Sequence, residues 1–189
     1  MTPVARSSVE PGSKRRVAAR AAELIRPGST VILDGGTTTL AVVGALPADL
    51  RCTVITHSPT IAAALVDRRE IEVFVLGGRL FKHSAVTCGA AAVEAAQGIS
   101  ADVFLLGVTG VHPVEGLTTG DADEAAMKRT LAGRAADTYV LASPEKIGAA
   151  SRYRVLPLDD IAGIVTDARA SDPVVRKLKR RGIRILTPS

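Results

Sequence analysis

STVILDGGTTTLAVVGALP, residues 29–47, decides the fold. A run rich in β-branched side chains ends at Asp34, Gly35 and Gly36 follow, and Thr37, Thr38 and Thr39 open a helical stretch that Pro47 breaks. This is one strand–helix unit, and the unit recurs along the chain. CTVIT (52–56) with PTIAAALVD (59–67) is a second, and IEVFVLGG (71–78) with AAAVEAA (90–96) is a third, its halves separated by the irregular insert RLFKHSAVTC (79–88). ADVFLLG (101–107), a Gly-rich loop and a helix from about Asp121 to Ala136 make the fourth. Before them, Val17, Ala21, Leu24 and Ile25 repeat at helical spacing through KRRVAARAAELIR (14–26), which Pro27-Gly28 stops. After them come TYVLAS (138–143), YRVLPL (153–158) and AGIVTD (162–167) as further strands, then a helix started by Asp172-Pro173 and ended by Gly182, then a last strand IRILT (183–187). Strand–helix alternation at this spacing predicts a parallel sheet, and strands that are apolar throughout predict helices on both its faces. The expected fold is α/β, a doubly wound, mostly parallel sheet.

The composition fits one such domain and excludes several functions. The chain has 189 residues, 47% hydrophobic and 23% charged, with three Phe, two Tyr and no Trp, so the core is built from Ala, Val, Leu and Ile and there are no stacking platforms for single-stranded nucleic acid. No apolar run approaches the roughly 18 residues needed to cross a bilayer, and MTPVARSSVEPGSKRR lacks a signal peptide's apolar segment; a cytoplasmic protein without membrane contact is expected. Cys52 and Cys88 lie far apart, without metal-ligand spacing. The net charge of +5 is terminal: residues 1–26 carry six Lys/Arg against two acids, residues 169–189 carry seven against Asp172 alone, and the stretch between is acidic. The C-terminal cluster reads as the solvated face of a helix or as a phosphate-backbone contact. Residues 1–13 read as a flexible lead-in or linker remnant, and 14–189 as the domain.

In an open parallel sheet, ligands bind beyond the carboxyl ends of the strands. The residues there are Asp34-Gly35-Gly36-Thr37-Thr38-Thr39, Thr56-His57-Ser58, Gly77-Gly78-Arg79, Gly107-Val108-Thr109-Gly110 and Ser143-Pro144-Glu145-Lys146, an edge rich in glycine, hydroxyls and cations. DGGTTT suits a phosphate, because glycines let backbone N–H groups face a ligand and the helix N-terminus adds partial positive charge; a plain turn with Thr as helix cap is the alternative, but three consecutive threonines exceed what one cap requires. No dinucleotide fingerprint or P-loop motif occurs. In GLTTGDADEAAMKR (116–129), Asp121, Asp123, Glu124 and Lys128 could serve proton transfer and anion binding in a sugar-phosphate enzyme. The same letters also read as structure: Asp121 with Glu124 resembles a capping box, and Glu124 with Lys128 an i,i+4 pair. His57 follows a strand end, while His83 and His112 have no ligand-spaced partner, so no metal or cofactor is expected.

Taken in order, KRRVAARAAELI, TVILDGGTTT, TVITHSPTIAAAL, EVFVLGGRL, TCGAAAVEA, ADVFLLGVTGV, GLTTGDADEAAMKRTL, EKIG and IVTD resemble the C-terminal effector domain of DeoR-family transcriptional regulators over residues 14–187. The resemblance implies the fold group of ribose-5-phosphate isomerase and glucosamine-6-phosphate deaminase, and a sensor of phosphorylated sugars or related metabolites that is not an enzyme. It implies a phosphate loop at Gly36, Thr37, Thr38 and Thr39 with Gly35 a further ligand-binding residue, a sugar side at Asp34, His57 and Arg79, and a second turn at Gly107, Thr109 and Gly110. Asp121, Asp123, Glu124 and Lys128 would contact hydroxyls or close the pocket, and Lys146 would add positive charge. His57 stands where the family usually has Asn, and Ala142-Ser143-Pro144-Glu145-Lys146-Ile147-Gly148 replaces its Asp-x-Ser-Lys-Phe-Gly segment. The family's winged helix-turn-helix has no counterpart before Lys14, so DNA is expected to be reached only through a missing N-terminal domain, with this chain an excised effector domain, or alternatively a natural stand-alone sensor, and its parent a homo-oligomer. An isomerase or deaminase on the same fold is the alternative.

Overall fold

The computed structural model describes residues 11–188. Seven of the apolar runs pair into one sheet: β1 (Thr30–Leu33), β2 (Cys52–Thr56), β3 (Ile71–Val75), β6 (Ala101–Gly107), β9 (Ala135–Leu141), β11 (Gly163–Val165) and β12 (Ile185–Leu186), in the spatial order β12-β11-β9-β6-β1-β2-β3. Every pairing in it is parallel, with Val31 opposite Val54 on one side of β1 and opposite Val103 on the other. From β1 the chain winds outward through β2 and β3, then returns to β1's other side for β6. The switch of direction lies between β1 and β6, where a doubly wound sheet opens a crevice at its carboxyl edge.

Side-chain alternation divides the core into two layers. Val31 and Leu33 pack under α1 (Pro11–Ala22), α2 (Thr37–Ala45) and α3 (Pro59–Leu65), through Val17, Ala21, Val42 and Ile61. Ile32 and Phe104 face the opposite layer, built from α4 (Ala90–Gln97), α5 (Ala122–Ala132) and α6 (Pro173–Arg180), through Ala92, Met127, Leu131 and Leu178. Each large side chain so buried contributes roughly 1.5–3 kcal/mol.

Several expectations need correction. The insert at 79–88 is a hairpin of β4 (Arg79–Phe81) and β5 (Val86–Cys88), turned through Ala85 at φ 53°. The Gly-rich loop holds β7 (Gly110–His112) and β8 (Gly116–Thr119), and YRVLPL gives β10 (Tyr153–Leu156), which pairs antiparallel with β8 in a separate three-stranded sheet. The fourth helix stops at Ala132 rather than Ala136, because Gly133 closes it and β9 begins at Ala135. Residues 11–13, read as lead-in, belong to α1; Ser13 is buried and donates to Asp167 Oδ1 at 2.6 Å, beside the Arg16–Asp167 ion pair. The rest of that lead-in lies outside the described residues.

Candidate functional site

A cleft of about 600 Å³ opens at the switch point. Its walls are the loop and first turn after β1 (Gly35–Leu40), the start of the loop after β6 (Gly107–Thr109), the segment leading into α5 (Thr119–Asp121, with Glu124 and Lys128), the β4–β5 hairpin (Phe81, His83, Ser84), Thr60 and Lys146. Its size suits a small metabolite.

Beneath the floor lies a buried polar hub. Asp34, fully buried, accepts hydrogen bonds at Oδ1 from its neighbour's amide, Gly35 N–H (2.8 Å), and from His57 Nε2 (2.8 Å), and at Oδ2 from Gly107 N–H (2.9 Å) and from the Lys128 ammonium. Burial alone would raise the Asp34 carboxyl, but the Lys128 charge and the His57 hydrogen bond outweigh it and hold the group well below the usual carboxylate range. Lys128 Nζ also donates to Gly107 O at 3.0 Å, and His57 Nδ1 lies 2.9 Å from Thr87 O, so both ring nitrogens of His57 face oxygen acceptors. One carboxylate thereby ties together the ends of β1, β2 and β6, the hairpin strand β5 and helix α5.

Two helix N-termini from opposite faces of the sheet converge on the cleft, and they differ. At α2 the cap is Gly36, at φ 122°, and no side chain caps the helix. Thr38 Oγ1, buried in this first turn, has no hydrogen-bond partner among the described residues. At α5 the cap is Asp121, whose carboxylate accepts Glu124 N–H at 3.0 Å. The reciprocal half of the predicted capping box is not made, and the Glu124–Lys128 pair that helical spacing suggested does not form, because Lys128 turns to Asp34. Glu124 is only 7% exposed. Gly35 is required by packing: a Cβ there would stand 2.1 Å from Val86 Cγ1 of the hairpin.

Of the residues singled out in the sequence, Gly35, Gly36, Thr37, Thr38, Thr39, Gly107, Thr109, Asp121, Glu124, Lys128 and Lys146 line the cleft. Asp34 and His57 do not; they lie fully buried and support the loops instead of facing a ligand. Arg79 and Asp123 sit outside the cleft, exposed and paired with each other at 3.0 Å. Gly110 is buried in β7, where a Cβ would meet the Ala149 carbonyl oxygen at 2.3 Å, so packing accounts for that glycine. Sequence reasoning missed Leu40, Thr60, Phe81, His83, Ser84, Thr119 and Gly120, and placed Val108 at this edge without assigning it a ligand. An available signal was one of only three phenylalanines, Phe81, in an insert at the ligand-bearing edge.

Residues 10–168 match the DeoR C-terminal sensor domain. The chain belongs to that family. The sensor domain is 33% identical over 173 residues to the HTH-type transcriptional repressor GlcR of Bacillus subtilis (strain 168), covering 92% of this chain and 66% of the relative. It is 34% identical over 163 residues to the uncharacterized HTH-type transcriptional regulator FruR of the same organism, covering 86% and 64%. It thus spans about two thirds of the length of these relatives. In fold it is similar to the translation initiation factor eIF-2B of Pyrococcus horikoshii OT3 (TM-score 0.57, 18% identity, 82% of this chain and 62% of that one). It is also similar to ribose 5-phosphate isomerase A of Methanocaldococcus jannaschii (TM-score 0.51, 17% identity, 70% and 52%). The expected fold group is therefore the one observed, and the family is a regulatory one, which removes the isomerase or deaminase alternative. No helix among the described residues is long and apolar enough to cross a membrane.

Proposed function

We propose that the sensor domain binds a phosphorylated sugar or related metabolite in the switch-point cleft, with its phosphate at the N-terminus of α2. The observation that carries this reading is the buried, unpartnered Thr38 hydroxyl in the first turn of a helix that no side chain caps. Buried hydroxyls are normally hydrogen-bonded, and an open helix N-terminus offers aligned N–H donors and partial positive charge to an anion. Lys146, on the same cleft, adds a cation.

Binding would act by population shift, since the ligand touches helices on both faces of the sheet and favours the arrangement in which they close on it. A coupling of about 1–3 kcal/mol suffices to alter the affinity of a parent regulator for DNA. The DNA would be read by a separate helix-turn-helix domain of the parent, acting as a homo-oligomer on paired half-sites in the cytoplasm. A thermal-shift comparison of phosphorylated sugars with the same sugars lacking phosphate tests the reading: only the phosphorylated forms should raise the melting temperature, and equal shifts from both would sink it.

A further inference from the structure

The cleft has two chemically unlike ends. One is the α2 N-terminus, open and with the unpartnered Thr38 hydroxyl. The other is the α5 N-terminus, already occupied by the Asp121 carboxylate, with Glu124 in its first turn. Glu124 is more than nine-tenths buried, lines the cleft, and has no hydrogen-bonded or ion-paired side-chain partner among the described residues. Lys128, one turn further along α5, does not neutralise it, because its ammonium is held by Asp34 and by the Gly107 carbonyl. The Glu124 carboxylate oxygens are therefore open to the cleft, where they offer acceptors to donors from whatever fills it and repel a second anion.

Resting on the reading of the cleft as a phosphosugar site, we propose that the ligand is a singly anionic-ended phosphomonoester, oriented with phosphate on α2 and its donor-bearing end, hydroxyl or amine, on Glu124. Sugar bisphosphates and phosphorylated sugar acids are disfavoured by charge. Glu124 is thus a specificity-determining residue, and the asymmetry between a carboxylate-capped and an uncapped helix fixes the ligand's direction.

The test is calorimetric titration of the 189-residue chain with matched probes: fructose 6-phosphate against fructose 1,6-bisphosphate, and glucose 6-phosphate and glucosamine 6-phosphate against 6-phosphogluconate. In each set, a monoester with a donor-bearing end should bind at least tenfold more tightly than its doubly anionic counterpart. Glu124→Gln, which keeps the shape and removes the charge, should weaken the best monoester about tenfold and cut its preference over the dianion by a similar factor. Glucosamine 6-phosphate should suffer the larger loss if an amine is the natural group, and the hydroxyl-bearing sugars if it is not. A wild-type chain that takes bisphosphate or phosphogluconate as tightly as the monoesters overturns this inference while leaving the phosphate reading intact, and it does so whether or not the variant folds. Indifference of the preference to Glu124→Gln in folded protein also overturns it. Failure of every phosphorylated probe overturns both readings.

Discussion

Lys128 donates to Asp34 across 94 residues of chain, with the two side chains only 5% and 0% exposed. Removing one partner strands the other as an uncompensated buried charge, which typically costs about 3–5 kcal/mol. Asp34→Leu and Lys128→Met should each destabilise the domain on that scale, and the double variant should cost clearly less than the sum. Urea denaturation of the four proteins in a double-mutant cycle checks this.

The same pair sets an acid limit. Because the folded-state pKa of Asp34 lies below its unfolded value, its stabilisation is fully present above the ordinary carboxylate pKa of about 3.9 and drains away as the pH falls toward the folded value. Stability measured from neutrality into acid should therefore fall less steeply below about pH 4 in Asp34→Asn than in the wild type.

His57 spans two acceptors, Asp34 Oδ1 and Thr87 O. An asparagine amide carries both N–H donors on one nitrogen, which reaches only the position of His57 Nδ1, so it can keep the bond to Thr87 O but not the one to Asp34 Oδ1, whereas leucine serves neither. His57→Asn should cost about 1 kcal/mol through one lost bond, and His57→Leu about 2–3 kcal/mol through two, with Asp34 Oδ1 left only the Gly35 amide, as read by chemical denaturation.

Thr38→Val deletes a hydroxyl that bonds nothing among the described residues and keeps the side chain's volume. Thermal stability without ligand should stay the same or rise slightly, while the melting-temperature response to sugar phosphates falls. Loss of stability with an intact ligand response would make the hydroxyl a structural group.

Gly35→Ala drives a methyl into Val86, and the hairpin cannot yield without shifting the cleft roof. Overpacking of this kind costs roughly 1–3 kcal/mol. Val86→Ala in the same chain should restore most of the loss, which paired melting curves would show.

The main sheet was legible because its strands are short, apolar and punctuated. CTVIT and ADVFLLG are read to the residue, since Thr56 and Gly107 are followed by residues that leave the ladder. The hairpin RLF/VTC and the β7–β8 pair were not legible, because strands of three residues, or four that begin on glycine as in GLTT, have no apolar period to detect and are held by tertiary neighbours. YRVL looked like any other strand, and nothing local says that its partner is β8. At the site, the letters DGGTTT indicated a phosphate loop, but Asp34 and His57 could not be told from wall residues: burial depends on Lys128 and Gly107 arriving from far along the chain. Helical spacing paired Lys128 with Glu124, and only the fold shows that a buried aspartate outcompetes it.

The insertion of β6 beside β1 also has a consequence for synthesis. Thr38 and Lys128 lie 90 residues apart in the coding order, and the floor between them closes only when β6 has docked and α5 has folded over it. At about 5–20 residues per second, a ribosome needs several seconds to carry the chain from the first half of the cleft to the second. On the proposed reading of the cleft, a metabolite present during those seconds would meet no binding site and could not template the nascent domain. Its influence would begin with the finished fold, where binding would stabilise the completed protein against unfolding.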